Sequence, residues 1–420
     1  MVFKFGAYRS VTASLFLFAV LHNPCAAQTL SAKESDPRVM GWMEGFPPPR
    51  DKLITQPDSN YFSFPKLRWS VCHLREFLPT EAISRGLGAP NPLKYLPSAE
   101  FADKRKAIDA LTFTPMNSDQ EMTWEDSLYT NYTDGILIIH RNRVVYERYF
   151  GCLQEDRKHA AMSMTKSVTG LLAGIMVAEG ALDDKALVRD IIPEIGDSAF
   201  ATATVREVMD MTTGVQYSED YSDPKADIWL YSAAASPLPK PDGYSGPDGY
   251  WEYLQQVRPE GKHGEQFHYK TINSDMLGWI ISRVSGKSVT ELASERLWRR
   301  MGAEQDAYQT VDGKGVPFAG GGLTAGLRDL GRLGLLVLNE GVIDGERLFP
   351  AEVVQNIRAG GDPSKFAGFK GMTFEQYEQA AAGHSTGSSF DGGVTRRAIE
   401  AATGDRYQKD DDLAEQLQKA

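Results

Sequence analysis

The amino-acid sequence predicts an α+β protein, and two neighbouring patterns support this prediction. The runs GILIIH (135–140) and VVYERYF (144–150) are rich in β-forming residues and are joined by the polar turn RNR, which is typical of a β-hairpin. From Val168 onward, apolar residues recur at the spacing of one helix face, and Gly180 closes the run as a helix-terminating glycine does. A hairpin is therefore expected to lead directly into an amphipathic helix.

Further helices are predicted later in the chain, together with one long loop region. Apolar periodicity gives the helical ranges 205–211, 275–284, 289–299, 324–339 and 351–358. Between 213 and 268 the chain is rich in Tyr, Asp, Pro and Gly and is predicted to be loop-like. A loop region of this length in a folded domain usually carries function.

Length, composition and charge limit the number of domains and the kinds of partner that the chain can have. The chain has 420 residues, of which 42% are hydrophobic and 24% charged, so it can bury the core of one large or two intergrown domains. The formal net charge is −11, and Lys and Arg form no long basic block. A nucleic-acid partner is therefore not expected.

The N-terminus has the layout of a secretory signal peptide over residues 1–27. Lys4 and Arg9 precede an apolar stretch at 11–21, and small residues follow up to Ala27. We expect cleavage after Ala27 and export to the periplasm or the medium; the alternative is a buried N-terminal helix. The apolar stretch is too short for a comfortable span, and no later run has 18 uninterrupted apolar residues, so stable membrane insertion is not expected.

The remaining chain divides into three predicted parts. Residues 28–130 contain the run PPPR and few periodic stretches, and are predicted to be an irregular extension packed on the core. Residues 131–365 form the main domain. Residues 366–420 are polar, Gly-rich and poor in β-branched residues, and are expected to be an atypical tail, either disordered or a differently built terminus.

Cleavage of the signal peptide leaves two cysteines, Cys72 and Cys152. In an exported chain they either pair or remain as isolated buried thiols, and sequence alone leaves both alternatives open. No CxxC run exists, so neither a zinc site nor thiol redox chemistry is predicted.

A serine and a lysine three residues apart, Ser163 and Lys166, stand where the predicted helix begins. Residues at this spacing share a helix face, and burial together with the positive end of the helix enables a lysine to take the proton of a serine hydroxyl. Two other S-x-x-K runs, at 63–66 and 222–225, contain proline, which disfavours a helical turn. The alternative is that Ser163 caps the helix and Lys166 is a solvated charge.

A second segment, HYKTINSDMLGWI (268–280), places Tyr269 on a loop before another amphipathic helix. A phenol near ammonium groups ionises more easily and is able to shuttle a proton. The alternative is a partly buried core tyrosine.

SMTKS (163–167) and HYKTINSDMLGWI resemble the first two motifs of the serine β-lactamase-like superfamily. That superfamily includes class C β-lactamases, D-alanyl-D-alanine carboxypeptidases and related esterases. The closer resemblance is to its 6-aminohexanoate-dimer hydrolase branch. Further segments that match in order are RWSVCHLREFLPTEAISRG (68–86), MTTGVQYSEDYSDP (211–224) and GGGLTAGLRDLGRLGLLVLNEG (320–341).

The resemblance implies a β-lactamase/transpeptidase-like fold, in which an antiparallel sheet from both ends of the chain is flanked by helices and carries a mostly helical subdomain. It implies that Ser163 is the acylated nucleophile, Lys166 its general base and Tyr269 the group that helps protonate the leaving group. Thr271 stands where Asn or Ser is usual, and its hydroxyl is still able to hydrogen-bond to the lysine. Tyr221 matches a substrate-contacting tyrosine of the 6-aminohexanoate branch.

By the same resemblance, the substrate is a small linear amide or ester, and no metal or organic cofactor is needed. The alternatives are a β-lactamase or a D-alanyl-D-alanine carboxypeptidase. The oligomeric state is left open.

The third motif of the superfamily, Lys or His followed by a small residue and Gly, is where this sequence departs from the pattern. The nearest candidate is His384 in GHSTG (383–387), within polar and Gly-rich surroundings. If that motif is absent, half of the oxyanion hole is lost, and the chain is a catalytically impaired penicillin-binding-like protein. Loss of one oxyanion donor lowers the rate by about a hundredfold or more.

Overall fold

The computed structural model describes residues 30–55, 60–115, 118–221, 223, 225–237, 240 and 243–365. The described residues from Ser31 onward belong to one unit of the structure. The predicted signal peptide (1–27), the predicted tail (366–420) and His384 lie outside the described residues.

The strands of the described residues are short and pair in an antiparallel manner. They are β1 (Thr80–Ile83), β2 (Thr112–Phe113), β3 (Met122–Thr123), β4 (Gly135–His140), β5 (Arg143–Tyr149), β6 (Lys158–Ala160), β7 (Ala307–Thr310), β8 (Leu323–Gly326), β9 (Val342–Ile343) and β10 (Glu346–Arg347).

The main sheet has the order β1-β7-β8-β6 within the described residues. Thr80 pairs with Thr310, Tyr308 with Thr324, and β6 pairs with the other edge of β8. Both central strands are buried along their whole length. The sheet thus joins residues far apart in the chain and brings β6, which leads to Ser163, next to β8.

The predicted hairpin is confirmed as β4 and β5, with Arg141 and Asn142 at the turn. Both turn residues have positive φ, of 47° and 61°, which matches the right-handed twist of the two strands. One face of the hairpin packs on the buried side chains of Ile108, Trp124 and Leu128.

The helices of the described residues include two long ones at the centre, α5 and α10. The full set is α1 (Pro37–Met40), α2 (Leu67–Ser70), α3 (Ser98–Asp109), α4 (Trp124–Thr130), α5 (Thr165–Ala178), α6 (Val188–Ile191), α7 (Val205–Met209), α8 (Asp227–Ala235), α9 (Tyr250–Leu254), α10 (Thr271–Ser285), α11 (Val289–Ala293), α12 (Leu327–Leu338) and α13 (Glu352–Ala359). None of these is long and apolar enough to cross a bilayer.

The core is built around α5 and α10. The apolar stripe predicted from Val168 is buried along α5, together with most of the first three turns of α10. Among the described residues between β6 and β7, the named secondary-structure elements are all helices, so the predicted antiparallel sheet, its flanking helices and the helical subdomain are confirmed.

Two predicted ranges differ from the structure. Residues 324–326 were expected to be helical, but they belong to β8, because this segment is hydrogen-bonded between β6 and β7 and its strand pairing overrides the helical period. The region 213–268, expected to be loop-like, contains α8 and α9, whose buried Tyr231, Tyr250 and Tyr253 pack against one another.

The segment before residue 131 has more regular structure than its composition indicates. It supplies β1 at one edge of the main sheet and the twelve-residue helix α3. The backbone carbonyl of Val71 accepts a hydrogen bond from the N–H of Ala160 in β6, at 2.8 Å. This segment is therefore attached to the strand that leads to Ser163.

A disulfide and an ion pair fix this attachment. Cys72 and Cys152 are bonded across 80 residues of sequence, which decides between the two alternatives left open above. The buried guanidinium of Arg68 lies 2.6 Å from Oδ1 of Asp134, and Oδ2 of the same carboxylate is 3.2 Å from Nε2 of His159 in β6.

Replacing both cysteines with serine is expected to lower the free energy of unfolding by about 2–4 kcal/mol, because an open 80-residue loop gives the unfolded chain more conformational freedom. The measurement is the urea midpoint with and without reductant. Reductant should lower the midpoint of the wild type and leave that of the double variant unchanged. An equal midpoint for oxidised and fully reduced wild type would contradict this account.

Candidate active site

Ser163 lies in a single 3₁₀ turn, Met162–Met164, between β6 and α5. Met162 has a φ of 44°, a left-handed conformation that is uncommon for a residue with a side chain and that concentrates at functional sites. Ser163 is exposed, and its side chain makes no capping hydrogen bond to the start of α5. The structure therefore does not support the alternative in which Ser163 caps the helix.

The turn is held against β8 by Ala161 and Thr165. The N–H of Ala161 donates to the carbonyl of Leu323, at 2.8 Å. The buried Thr165 hydroxyl donates to the carbonyl of Met162 at 2.6 Å and accepts the N–H of Leu323 at 3.0 Å. These bonds fix the backbone on both sides of Ser163, so its hydroxyl has a defined position.

Lys166, on the first turn of α5, reaches back to this hydroxyl. Its Nζ lies 3.1 Å from Oγ of Ser163 and 2.6 Å from the carbonyl oxygen of Gly320. The predicted pair is thus within hydrogen-bond distance. An amine at this distance is able to take the serine proton when it is unprotonated.

Tyr269 lies on the other side of the lysine. Lys166 Nζ is 5.0 Å from the centre of the Tyr269 ring, which is within the range of a cation–π contact. Tyr269 is 49% exposed, so its ring is accessible to solvent beside the lysine. The core-tyrosine alternative does not describe this position.

Thr271 and Tyr221 meet at a carboxylate that the sequence analysis did not single out, Glu219. The Thr271 hydroxyl donates to Oε1 of Glu219 at 2.6 Å, and its N–H donates to Oε2 at 2.7 Å. The Tyr221 hydroxyl donates to the same Oε1 at 3.2 Å. The expected bond from Thr271 to the lysine is therefore replaced by one to Glu219.

Tyr221 is an exposed aromatic residue that neighbours Trp229 and Tyr269. Its side chain is 65% exposed and contacts the edge of Trp229, with 6.1 Å between ring centres. Partial burial of the phenol and the neighbouring Glu219 carboxylate raise the pKa of Tyr221 to about 12, so the hydroxyl is protonated and donates near neutral pH.

A buried carboxylate, Asp275, lies behind Lys166. Oδ1 of Asp275 accepts the N–H of Gly320 at 3.1 Å, and Oδ2 accepts the Tyr231 hydroxyl. Burial raises the pKa of Asp275 to about 7, although the Tyr231 hydrogen bond and the charge of Lys166 act in the opposite direction.

Sequence reasoning missed Glu219, Asp275 and Gly320 as parts of the site. Asp275 could have been found from the sequence, because it is a single acidic residue next to the apolar residues Ile272, Met276 and Trp279 on the predicted helix. Glu219 gave none, because an acid in a polar loop is usually solvated. His384, the candidate for the third motif, lies outside the described residues.

Among the described residues, the grouping with metal-ligand spacing is Cys72, Cys152 and His159, whose ligand atoms lie within 4.8 Å of one another. The disulfide occupies both sulfurs, and thiolate ligands are therefore not available there.

Comparison with known proteins identifies the family to which this chain belongs. The family model described as Beta-lactamase matches residues 131–400. A 6-aminohexanoate-dimer hydrolase from Paenarthrobacter ureafaciens is 34% identical over 298 residues, which cover 71% of each chain. A solved structure from Bacillus anthracis, provisionally described as a 6-aminohexanoate-dimer hydrolase, has 27% identity and a TM-score of 0.63 over 74% of this chain and 78% of its own. This chain therefore belongs to the β-lactamase family and is a hydrolase.

Proposed function

We propose that the protein is a serine hydrolase that cleaves a small linear amide or ester through an acyl-enzyme on Ser163. The observation that supports this most strongly is the 3.1 Å contact between Lys166 Nζ and Ser163 Oγ, together with the 2.6 Å bond from the same nitrogen to Gly320. The second bond takes one N–H of the lysine and orients the nitrogen lone pair of the neutral amine towards the serine hydroxyl.

In the first step, Lys166 takes the Ser163 proton while Oγ attacks the substrate carbonyl. The developing oxyanion faces the turn that leads into α5, where we assign the Ser163 N–H as its donor and where the helix dipole favours negative charge. Collapse of the tetrahedral intermediate releases the amine or alcohol, and water then attacks the acyl-enzyme with Lys166 again accepting a proton.

Tyr269 is the group we assign to protonation of the leaving group. The support is the 5.0 Å contact between the centre of its ring and Lys166 Nζ, which places this phenol next to the base that takes the Ser163 proton. An amine leaving group requires this proton, because an amide anion is too basic to depart unaided.

For the substrate, we infer a linear amide with an extended chain that lies along Tyr221 and Trp229. Two observations support this inference. Both rings are exposed, and the relative from Paenarthrobacter ureafaciens is named as a hydrolase of 6-aminohexanoate dimer, which is a linear amide. The hydrogen bond from the Thr271 hydroxyl to Glu219 disfavours the β-lactamase alternative, because this hydroxyl then does not donate to Lys166. Faster turnover of a chromogenic cephalosporin than of 6-aminohexanoate dimer would reverse this choice of substrate.

A fluorophosphonate probe should add one covalent label to the wild type and none to Ser163→Ala, because the lysine activates this hydroxyl alone. Intact mass is the measurement. Ser63→Ala is the matched control, since Ser63 belongs to another S-x-x-K run but donates to the carbonyl of Asn60. Undiminished labelling or ester turnover in Ser163→Ala would refute the proposed nucleophile, and an unlabelled wild type would favour the catalytically impaired alternative.

Tyr269→Phe should separate amide from ester hydrolysis. The ring over Lys166 stays, but the hydroxyl is lost, so hydrolysis of 6-aminohexanoate dimer should fall by about a hundredfold, a usual effect of losing a general acid. Hydrolysis of a p-nitrophenyl ester should change far less, because p-nitrophenolate departs without a proton. Tyr244→Phe, at a tyrosine bonded to Pro247, is the control. Equal losses for both substrates would exclude this role.

We also propose that the protein is exported. The bonded Cys72 and Cys152 support this, since disulfides persist mainly in oxidising compartments. The N-terminal sequence of protein isolated from its native host should begin at residue 28. A mature protein that begins at Met1 and is recovered with cytoplasmic markers would contradict the proposal.

A further inference from the structure

Gly320 connects two parts of the structure. Its carbonyl accepts the hydrogen bond of Lys166, and its N–H donates to Oδ1 of Asp275. A side chain is not tolerated at this position, because a Cβ would lie 2.4 Å from Cγ2 of Thr271 and 2.8 Å from Oδ2 of Asp275. The backbone at residue 320 is thus held by its contacts with α10 and not by a side chain of its own.

Asp275 is itself held rigidly. Its side chain is 3% exposed, it lies on the buried face of α10, and its second oxygen accepts the hydroxyl of the buried Tyr231 from α8. Thr169 of α5 adds a neighbouring bond, because its hydroxyl donates to the carbonyl of Ala319 at 2.9 Å. The carbonyl that receives Lys166 is therefore fixed from both helices.

The groups that face Asp275 are Tyr231 of α8, Tyr250 of α9, Tyr217 in the loop after α7, and Lys166 of α5. Burial raises the pKa of each of these three tyrosines, and they stay neutral at working pH.

We propose that Asp275 is a positioning residue of the hydrolytic site. It fixes the residue whose carbonyl orients Lys166. This inference rests on the proposed function, because it requires Lys166 to activate Ser163.

The test compares the rates at which a fluorophosphonate labels Asp275→Asn, Asp275→Val and the wild type. Asparagine keeps an oxygen that accepts the Gly320 N–H, so its labelling rate should stay close to that of the wild type. Valine removes the acceptor, and its labelling rate should fall by about a hundredfold, the effect expected of a small displacement in an active site.

Asp329→Val is the matched control, because Asp329 is also a buried aspartate that accepts backbone N–H groups, those of Glu304 and Gln305. A folded Asp329→Val should keep the wild-type labelling rate. A hundredfold loss in Asp275→Asn, or an equal loss in a folded Asp329→Val, would overturn the proposal; so would a folded Asp275→Val with the wild-type rate. If Asp275→Val does not fold by circular dichroism, Asp275→Asn decides the question. Failure of the proposed function is distinguishable, since the wild type itself would then remain unlabelled.

Discussion

The bond between Lys166 and the carbonyl of Gly320 is the constraint on which the site depends. The two residues are 154 positions apart in sequence, and the structure brings their atoms to 2.6 Å. Without that acceptor, a lysine on the first turn of α5 has a long flexible chain and no fixed direction. With it, Nζ stays 3.1 Å from Ser163 Oγ. A pair that is local in the sequence thus acquires a defined geometry through a non-local contact.

The rest of the fold can be understood as support for that contact. Pairing of β6 with β8 places the Ser163 turn beside the segment that begins at Gly320, and Thr165 ties the turn to Leu323. Behind them, α10 contributes Asp275 and Thr271, one to the Gly320 N–H and the other to Glu219. The Cys72–Cys152 bond attaches the N-terminal segment near the start of β6. Hydrogen bonds from several elements therefore hold the backbone around Ser163, whereas the aromatic residues Tyr221 and Tyr269 are exposed.

Local patterns were sufficient to predict the hairpin, α5 and the Ser163–Lys166 pair, because turn chemistry, helix periodicity and a three-residue spacing are all encoded within a short stretch. The position of Tyr269 before a helix was also predictable, because the motif that contains it lies within one short segment. The partner of Thr271 was not predictable, since Glu219 is 52 residues away and belongs to a loop without periodicity. The apolar spacing at 324–326 predicts a helix although it fits a strand equally well, and only the pairing of this segment with β6 and β7 decides between them.

The most direct test of the account is to find where the acyl group resides during turnover. The tryptic peptide 159–166 contains Ser163 as its only serine, so acid quenching during hydrolysis of a p-nitrophenyl ester of 6-aminohexanoate, followed by peptide mass analysis, locates the group. The account predicts an acyl increment on this peptide, at Ser163. Continued turnover with no acyl group on the enzyme, or with the group on another residue, would contradict it.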